Sequence, residues 1–274
     1  MLSLAPDYQK LRRTLLGIYN RSLAQLCMPT MPAHPAHGNH VLLSHIHPLL
    51  ALVRFPDLPV SLPGWLTIAE QRMLYALAYL LPGPILEIGS WLGRSTACLA
   101  FGIRDSRQPK TLVSVDLNLK PEHFRPYGDQ VGFFYPAAAT QPLALVEVEQ
   151  YHSNVAPVLH APGGILQALR TNLHSLDLLD LVHIVMCDFR AAPRLPYRLI
   201  FCDVTHNPGE IAHNLPDLAH LLQPGTIVAC HDIDDVNEAC VRSLLPVRYG
   251  LRCDSLFVAE VGSEMPTHAS IPFK

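Results

Sequence analysis

The chain has 274 residues, of which 49% are hydrophobic and 16% are charged, and its formal net charge is −3. This composition supplies enough apolar side chains for a sizeable core and excludes a globally disordered protein. The 20 lysines and arginines form no cluster. The sequence therefore argues against nucleic acid as the main partner, because binding to phosphates requires concentrated positive charge.

The compartment is predicted from the N-terminus, the apolar runs and the cysteines. The first residues lack the charged-then-apolar order of a signal peptide, and the longest apolar runs, such as Met73–Leu81, are too short to span a bilayer. The seven cysteines include no C-x-x-C pair. We therefore expect a cytoplasmic protein with no membrane partner and with free thiols. Five of these thiols lie in apolar stretches: Cys98, Cys187, Cys202, Cys230 and Cys240.

Residues 1–62 differ in character from the rest of the chain. A helix is predicted over about Tyr8–Cys27, where leucine and isoleucine recur at helical spacing. The next stretch, Met28–Pro63, is rich in proline and histidine and cannot form one regular element. We expect an N-terminal arm or cap over residues 1–62 and one main domain over residues 63–274. Five histidines of the arm match no structural zinc pattern: His34, His37, His40, His45 and His47.

Regular elements follow one another closely from Thr67 onward. Thr67 and Glu70 have the spacing of a capping box, which predicts a helix to about Leu81. The further predicted strands are Ile85–Ile88, Thr111–Asp116, Leu181–Cys187, Arg198–Asp203, Thr226–Cys230 and Leu256–Val261. The further predicted helices are Leu92–Gly102, Gly164–Leu176, Glu210–Leu222 and Val236–Leu245.

Alternation of strands with helices, each strand a nearly continuous apolar run, predicts an α/β fold with a doubly wound, mostly parallel sheet. Right-handed crossovers place the carboxyl ends of such strands at one edge, where ligands bind. The segment Leu119–Pro162 is much longer than an ordinary connection. We interpret it as an inserted lid, with a dimerisation arm as the alternative. Its aromatic and histidine side chains are His123, Tyr127, Phe133, Phe134, Tyr135, Tyr151 and His152.

The first predicted strand runs into the sequence EIGSWLGRS at residues 87–95. Gly89 permits a tight turn and a close approach to a ligand, and Gly93 lets the next helix pack near that turn. Trp91 occupies the place of the second glycine in the dinucleotide fingerprint G-x-G-x-x-G. A bulky ring there weakens a prediction of NAD or FAD binding.

Acidic residues recur at the ends of the later strands. A carboxylate after the second strand of such a sheet accepts hydrogen bonds from ribose hydroxyls, and an acid beside an aromatic ring can hold an adenine. A single aspartate after a strand is often only a turn residue. The ordered series is a stronger signal than any one member: Asp116, Asp188 with Phe189, Asp203 with His206, and His231 with Asp232.

With these motifs, residues 67–261 resemble the class I S-adenosylmethionine-dependent methyltransferases. The resemblance is greatest to small-molecule O-methyltransferases of the catechol and caffeoyl-CoA type, and to bacterial cephalosporin and macrolide-sugar methyltransferases. It implies a Rossmann-like, seven-stranded sheet with S-adenosylmethionine at the strand ends. The positions it places on the cofactor are Glu87, Gly89, Ser90, Trp91, Gly93, Ser95, Asp116, Asp188, Phe189 and Asp203.

The resemblance also implies an acceptor site beside the cofactor. Asp203, His231 and Asp232 are the expected ligands of a divalent cation, Mg²⁺ or Mn²⁺. His206 stands where the family places the base that removes a hydroxyl proton, although that base is usually lysine. The family also usually has an acid in place of His231, and Mg²⁺ prefers oxygen ligands.

The predicted function is methyl transfer to a hydroxyl of a small molecule, of natural-product, sugar or phenolic type. Two alternatives stay open at this point. One is a binding or assembly subunit that keeps the fold without catalysis, and the other is a dinucleotide-dependent oxidoreductase. A homo-oligomer is compatible with each of the three.

Overall fold

The computed structural model describes residues 43–50, 52–55 and 62–262. The predicted helix Tyr8–Cys27 and the histidines at 34, 37 and 40 lie outside the described residues, and the boundary at residue 62 stays a prediction. Helix α1 (Leu43–Leu50) lies in the stretch rich in proline and histidine. The backbone N–H of Leu43 donates to Glu260 at 2.7 Å, and His47 Nδ1 lies 2.7 Å from the hydroxyl of Tyr249.

The main sheet has seven strands and is mostly parallel, which confirms the predicted fold class. Its inner strands pair in parallel, and only the last strand runs antiparallel to both of its neighbours. All residues of β1 (Ile85–Ile88) and β7 (Leu199–Cys202) are buried, as expected for strands covered on both faces. In spatial order the strands are β6 (Val182–Met186), β2 (Leu112–Asp116), β1 (Ile85–Ile88), β7 (Leu199–Cys202), β8 (Ile227–Cys230), β10 (Leu256–Val261) and β9 (Val247–Cys253).

The helices begin where the sequence offers caps. The capping box of Thr67 and Glu70 is present at the start of α2 (Ile68–Leu80), and Asn207 caps α7 (Pro208–Leu218) with Pro208 as the first helical residue. Buried leucine, isoleucine, valine and phenylalanine side chains from strands and helices form the core around the sheet. In chain order the helices after α1 are α2 (Ile68–Leu80), α3 (Arg94–Ser106), α4 (Val148–Gln150), α5 (Ala156–His160), α6 (Gly164–Ser175), α7 (Pro208–Leu218) and α8 (Asp235–Leu244).

The long segment Leu119–Pro162 contains a small antiparallel sheet that the sequence did not predict. Its strands are β3 (Phe124–Tyr127), β4 (Gln130–Phe133) and β5 (Ala144–Val146). A π-helical turn at Tyr151–Val155 then joins α4 to α5. Val155 and Leu159 form a second apolar cluster with Ile165 of α6, and Trp91 packs against it. The segment is therefore anchored beside the turn that follows β1.

The other differences from the predicted elements are smaller. Strand β9 was not predicted, and α3 begins at Arg94 and extends to Ser106 rather than over Leu92–Gly102. The six cysteines in the described part of the chain are free thiols, of which Cys187, Cys240 and Cys253 are only partly buried. Among the described residues, no helix is long and apolar enough to cross a membrane.

Candidate active site

A cavity of about 470 Å³ opens at the carboxyl ends of the parallel strands, within the range of small-molecule sites. All five strand ends contribute to its lining. The residues there are Gly89 and Trp91 after β1, Asp116 of β2, Asp188 and Phe189 after β6, Asp203 and His206 after β7, and His231 and Asp232 after β8. Four positions expected at the cofactor lie outside this lining: Glu87, Ser90, Gly93 and Ser95.

The turn after β1 is held by backbone conformation and by one carboxylate. Gly89 has φ +88°, and a Cβ atom at this position would lie 2.7 Å from the carbonyl oxygen of Asp203. Only glycine therefore lets the ends of β1 and β7 approach so closely. Trp91 also has a positive φ, 45°. The Oδ2 atom of Asp116 accepts the backbone N–H groups of Ser90, at 3.1 Å, and Trp91, at 3.0 Å. Asp116 thus ties the turn to the end of β2.

Glu87 supports the turn from beneath. Its side chain is fully buried, and its Oε2 accepts the hydroxyls of Thr96, at 2.6 Å, and Ser114, at 2.7 Å. Its Oε1 is buried without a hydrogen-bond partner among the described residues. Burial raises the pKa of Glu87 to about 7, against the hydrogen bonds that lower it. The position expected at the cofactor is thus a buried support in this structure.

Two further expected positions are also part of the scaffold. Gly93 precedes α3 with φ +93°, and a Cβ atom there would lie 2.8 Å from Cδ1 of Leu169. Ser95 is buried in the first turn of α3. Gly93 therefore lets Leu169 of α6 pack at the start of α3, and neither Gly93 nor Ser95 lines the cavity.

Asp188 lies at the cavity but already has a cationic partner. Its Oδ1 accepts the backbone N–H of Arg190 at 2.9 Å, and its Oδ2 lies 3.1 Å from the guanidinium of the same residue. Arg190 also pairs with Asp217 at 2.6 Å. Phe189 is buried beside them and contributes to the lining. The acid and the aromatic ring therefore stand together as expected, with Arg190 added.

His231 lies among three carboxylates, of which Asp232 has its Oδ1 3.5 Å from Nδ1 of the ring. Its Nδ1 is 3.0 Å from Oδ1 of Asp203, and its Nε2 is 3.4 Å from Oε2 of Glu70. The side chain is 3% exposed. Burial lowers the pKa of His231, but its hydrogen bonds to Asp203 and Glu70 outweigh that effect and raise the pKa to about 10. His231 is therefore held as an imidazolium.

His206 is the accessible imidazole of the site. Its Nδ1 lies 2.6 Å from Oε2 of Glu210, and its Nε2 is 3.7 Å from Oδ2 of Asp232. The side chain is 48% exposed. Burial lowers the pKa of His206, but the hydrogen bond and the charge of Glu210 outweigh it and raise the pKa to about 9. The helix cap is Asn207, whose side chain accepts the N–H of Glu210, so the ring of His206 is available to the cavity.

The geometry groups His206, rather than the expected His231, with the two aspartates proposed as metal ligands. The ligand atoms of Asp203, His206 and Asp232 all lie within 4.8 Å of one another. His231 is not in this group, because its two ring nitrogens already face the carboxylates of Asp203 and Glu70. Two carboxylates with one imidazole suit a divalent cation, and the nitrogen ligand favours Mn²⁺ over Mg²⁺. The chemistry of this donor set therefore fits a cation.

Sequence reasoning missed the roles of Glu70, Glu210 and Arg190 at the site. Glu70 was noted only for its capping box, and Glu210 stands three residues after the cap Asn207. Each glutamate also receives a backbone N–H at the start of its helix. A signal for Glu210 was present in its spacing of four residues from His206, which places two side chains on one side of a helix start.

Solved structures of several methyltransferases are similar to this chain. One is a putative O-methyltransferase from Klebsiella pneumoniae, with 15% identity, coverage of 90% of this chain and 97% of that chain, and a TM-score of 0.46. A second is the O-methyltransferase NovP, with 13% identity, coverage of 72% and 81%, and a TM-score of 0.48. A third is the O-methyltransferase TomG from Streptomyces achromogenes in complex with SAM, with 17% identity, coverage of 76% and 83%, and a TM-score of 0.43.

The family assignment comes from the sequence itself. No curated protein matches the chain. Residues 86–233 match the model of a family described as "Methyltransferase domain". The match covers 148 of the 274 residues and spans the strand ends from β1 to β8. The chain therefore belongs to this methyltransferase family and is an enzyme of the S-adenosylmethionine-dependent class I type.

Proposed function

We propose that the protein transfers a methyl group from S-adenosylmethionine to a hydroxyl group of an aromatic small molecule. The observation that carries the proposal is that one cavity joins two different sets of groups. We call Gly89, Trp91, Asp116, Asp188 and Phe189 the cofactor side. We call Asp203, His206 and Asp232, with Glu210, the acceptor side.

The cofactor side is suited to S-adenosylmethionine, which is a nucleoside that carries a positively charged sulfonium group. The Oδ1 atom of Asp116 accepts the N–H of Asn118 at 2.9 Å and keeps a lone pair for a ribose hydroxyl. Phe189 offers a face beside Asp188 for a purine ring. When bound, S-adenosylmethionine supplies an electrophilic methyl group on a sulfonium. The surrounding carboxylates favour its positive charge in a cavity partly shielded from water.

The walls of the cavity favour an aromatic acceptor over a sugar. The inserted segment contributes apolar side chains to the lining, among them Phe124, Phe133 and Tyr135, and Trp65 lies across from Trp91 with ring centroids 6.0 Å apart. Flat aromatic groups pack well against such surfaces, whereas a sugar requires several hydrogen-bonding partners. The described lining contains one arginine and no lysine, and that Arg190 is paired with Asp188 and Asp217. A phosphorylated acceptor therefore fits poorly.

His206 is the proposed general base. Glu210 binds Nδ1 and so directs Nε2 toward the cavity and Asp232. A base oriented in this way can accept the hydroxyl proton as the oxygen attacks the methyl carbon. Positive charge brought into the cavity, on a sulfonium or a cation, favours the neutral imidazole that this step requires.

A divalent cation is proposed at Asp203, His206 and Asp232 as a second mode of activation. It would lower the pKa of an acceptor hydroxyl and fix its orientation. When His206 ligates the cation it cannot also accept the proton, so the two modes exclude each other for that residue. Removal of metal distinguishes them. Unchanged turnover in EDTA identifies His206 as the base, and restoration by Mn²⁺ or Mg²⁺ identifies the cation.

The function is tested with the full chain, isotope-labelled S-adenosylmethionine and a panel of acceptors that includes a catechol, a monophenol, an aryl amine and a free sugar. We expect a labelled methyl ether of an aromatic hydroxyl, with one S-adenosylhomocysteine formed per product. Asp116→Asn and His206→Ala serve as variants of the two sides. Transfer to the amine or the sugar alone would contradict the proposed acceptor, and binding without any transfer would support a non-catalytic subunit.

A further inference from the structure

Glu70 is a buried glutamate outside the cavity that contacts the acceptor side through His231. Glu70 lies on α2, before the region of residues 86–233 that matches the family model, and it is not part of the cavity lining. Its side chain is fully buried. A glutamate that completes a capping box usually sits at an exposed helix start, because one backbone N–H is its only required partner. Full burial of this carboxylate indicates partners beyond the cap.

Three hydrogen-bond donors and one nitrogen of His231 surround the two carboxylate oxygens of Glu70. Oε2 accepts the N–H of Thr67 at 2.8 Å, and Nε2 of His231 lies 3.4 Å from the same oxygen. Oε1 accepts both the N–H, at 2.8 Å, and the hydroxyl, at 2.6 Å, of Ser255. Burial would raise the pKa of Glu70, but the hydrogen bonds from His231 and Ser255 outweigh it and lower the pKa to about 2. The group is a fixed anion.

This anion restrains the ring of His231 from the side opposite to the cavity. Nδ1 of the ring faces Oδ1 of Asp203 at 3.0 Å and Nε2 faces Oε2 of Glu70 at 3.4 Å, so a carboxylate lies at each ring nitrogen. A flip or rotation of the ring would break the hydrogen bond to Asp203 and the contact of Nε2 with the Glu70 carboxylate in a buried location. His231 therefore presents one fixed donor to Asp203.

The fixed donor determines which oxygen of Asp203 serves the cavity. Oδ1 is engaged by His231, and the carboxylate is 26% exposed. Oδ2 is then the oxygen that can bind a cation or an acceptor. If the ring of His231 were free, the carboxylate could turn between several orientations and the acceptor would be placed less well.

We propose that Glu70 is a positioning residue that acts through His231 to hold the carboxylate of Asp203 in its working orientation. The chain Glu70–His231–Asp203 joins the start of α2, the end of β8 and the end of β7. The expected effect on kcat rests on the proposed function, whereas the orientation of the Asp203 carboxylate does not depend on which acceptor is bound.

The test uses Glu70→Gln in the full chain, with Thr67→Ala as the matched control. Thr67→Ala removes the side-chain cap of the same helix and leaves the Glu70 carboxylate beside His231. We expect Glu70→Gln to lower kcat about 10- to 100-fold, the range seen when a residue that orients a ligand is lost. The Kd for S-adenosylmethionine stays unchanged to within about twofold. Thr67→Ala should keep kcat within the same limit.

A double-mutant cycle separates positioning from general destabilisation. In a His231→Asn background, Glu70→Gln should cause no further loss of kcat, because the connection through which it acts is already absent. Losses that multiply in the double variant would overturn the proposal, as would a kcat in Glu70→Gln equal to that of Thr67→Ala. If Glu70→Gln does not fold, Glu70→Asp keeps the buried charge but withdraws it from His231, and the same cycle is measured with it.

Crystal structures of the wild type and the Glu70 variant provide a readout without turnover. We expect the distance from His231 Nδ1 to Asp203 Oδ1 to lengthen and the Asp203 carboxylate to turn in the variant. An unchanged Asp203 would overturn the proposal even if activity fell. A wild type that binds S-adenosylmethionine but methylates no acceptor would contradict the proposed function, while the position of Asp203 would still decide the role of Glu70.

Discussion

The cofactor side and the acceptor side of the cavity are built in different ways. On the cofactor side, Asp116 is held by backbone N–H groups of Ser90, Trp91 and Asn118, all within 26 residues of it. On the acceptor side, the carboxylates are held by the imidazole rings of His206 and His231. At Asp116 the cofactor side is thus organised by the main chain, with an ion pair only at Asp188, whereas the acceptor side is organised by charged side chains.

The difference extends to the partners that lie behind each side. The cofactor side rests on the turn after β1, whose geometry follows from Gly89 and from its own short sequence. The acceptor side depends on Glu70 and Glu210, which come from two different helices. Backbone scaffolds tolerate change in side chains near them, whereas buried charge networks lose function when one member is removed. Substitutions should therefore have separable effects on binding and on turnover.

The largest expected effect is on the acceptor side. His206→Ala removes the proposed base while leaving the backbone contacts of Asp116 intact. We expect kcat to fall about 10³-fold, within the range for loss of a general base, with no change in the KM for S-adenosylmethionine. Steady-state kinetics at pH 7 measures both constants. Wild-type turnover in this variant would remove His206 from the chemistry.

The second expected effect concerns Glu87, the buried residue beneath the cofactor side, and is seen in how the unfolding free energy depends on pH. The pKa of Glu87 in the folded protein is about 7, above the ordinary value of 4.5. Between these values the folded protein keeps a proton that the unfolded chain releases, so the wild type loses stability as pH rises. Glu87→Gln lacks this proton. From pH 4.5 to pH 7, the unfolding free energy of Glu87→Gln should therefore rise by about 3 kcal/mol relative to that of the wild type.

Urea unfolding of both proteins at pH 5 and pH 7.5 measures this gain. The Thr96 and Ser114 hydroxyls that bind Oε2 can still donate to the amide oxygen of the variant, so the comparison isolates the ionisation of the carboxyl group. An unchanged difference between the two proteins at the two pH values would show that Glu87 does not titrate in this range.

The third effect concerns affinity on the cofactor side. Asp116→Asn keeps the shape of the side chain but removes the charge that accepts the proposed ribose hydroxyl. One charge-assisted hydrogen bond contributes about 1.5–3 kcal/mol, so the Kd for S-adenosylmethionine should rise about 10- to 100-fold. At saturating cofactor the kcat should stay close to that of the wild type. A large fall in kcat with unchanged Kd would contradict the division between the two sides.

The smallest expected effect concerns the close contact between Gly89 after β1 and Asp203 after β7, where the cofactor side meets the acceptor side. Gly89→Ala places a Cβ atom 2.7 Å from the carbonyl oxygen of Asp203, whereas Gly128→Ala meets no atom within 4 Å. Both glycines have positive φ, +88° and +64°, so Gly128→Ala reports the backbone strain alone. We expect Gly89→Ala to lose about 1 kcal/mol or more beyond that control in urea unfolding. Equal losses would mean that β1 and β7 can separate without cost.

The sequence predicted the cofactor side better than the acceptor side for a physical reason. Strand ends and glycine turns follow from local patterns, and the parallel sheet brings Asp116 and Asp188 to one edge once the strands are recognised. Glu70 and His231 are in contact although they lie 161 positions apart in the sequence, and no local spacing of residues predicts such a pair. The prediction that His231 binds a metal therefore takes no account of Glu70, and the geometry groups His206 with Asp203 and Asp232 instead.

The missed strands have simple causes as well. β3 is four residues long and contains Pro126, and β5 has only three residues, so neither carries a recognisable alternation. In β9, Gly250 and two arginines interrupt the apolar pattern. These strands are defined by their pairing with neighbours, which periodicity along one strand does not report.

Calorimetric titration of S-adenosylmethionine into three proteins tests most directly whether one cavity has two separable sides. The proteins are the wild type, Asp116→Asn and His206→Ala. We predict that the wild type and His206→Ala bind S-adenosylmethionine with the same Kd, and that Asp116→Asn binds it about 10- to 100-fold more weakly. Loss of binding in His206→Ala with full binding in Asp116→Asn would contradict the account.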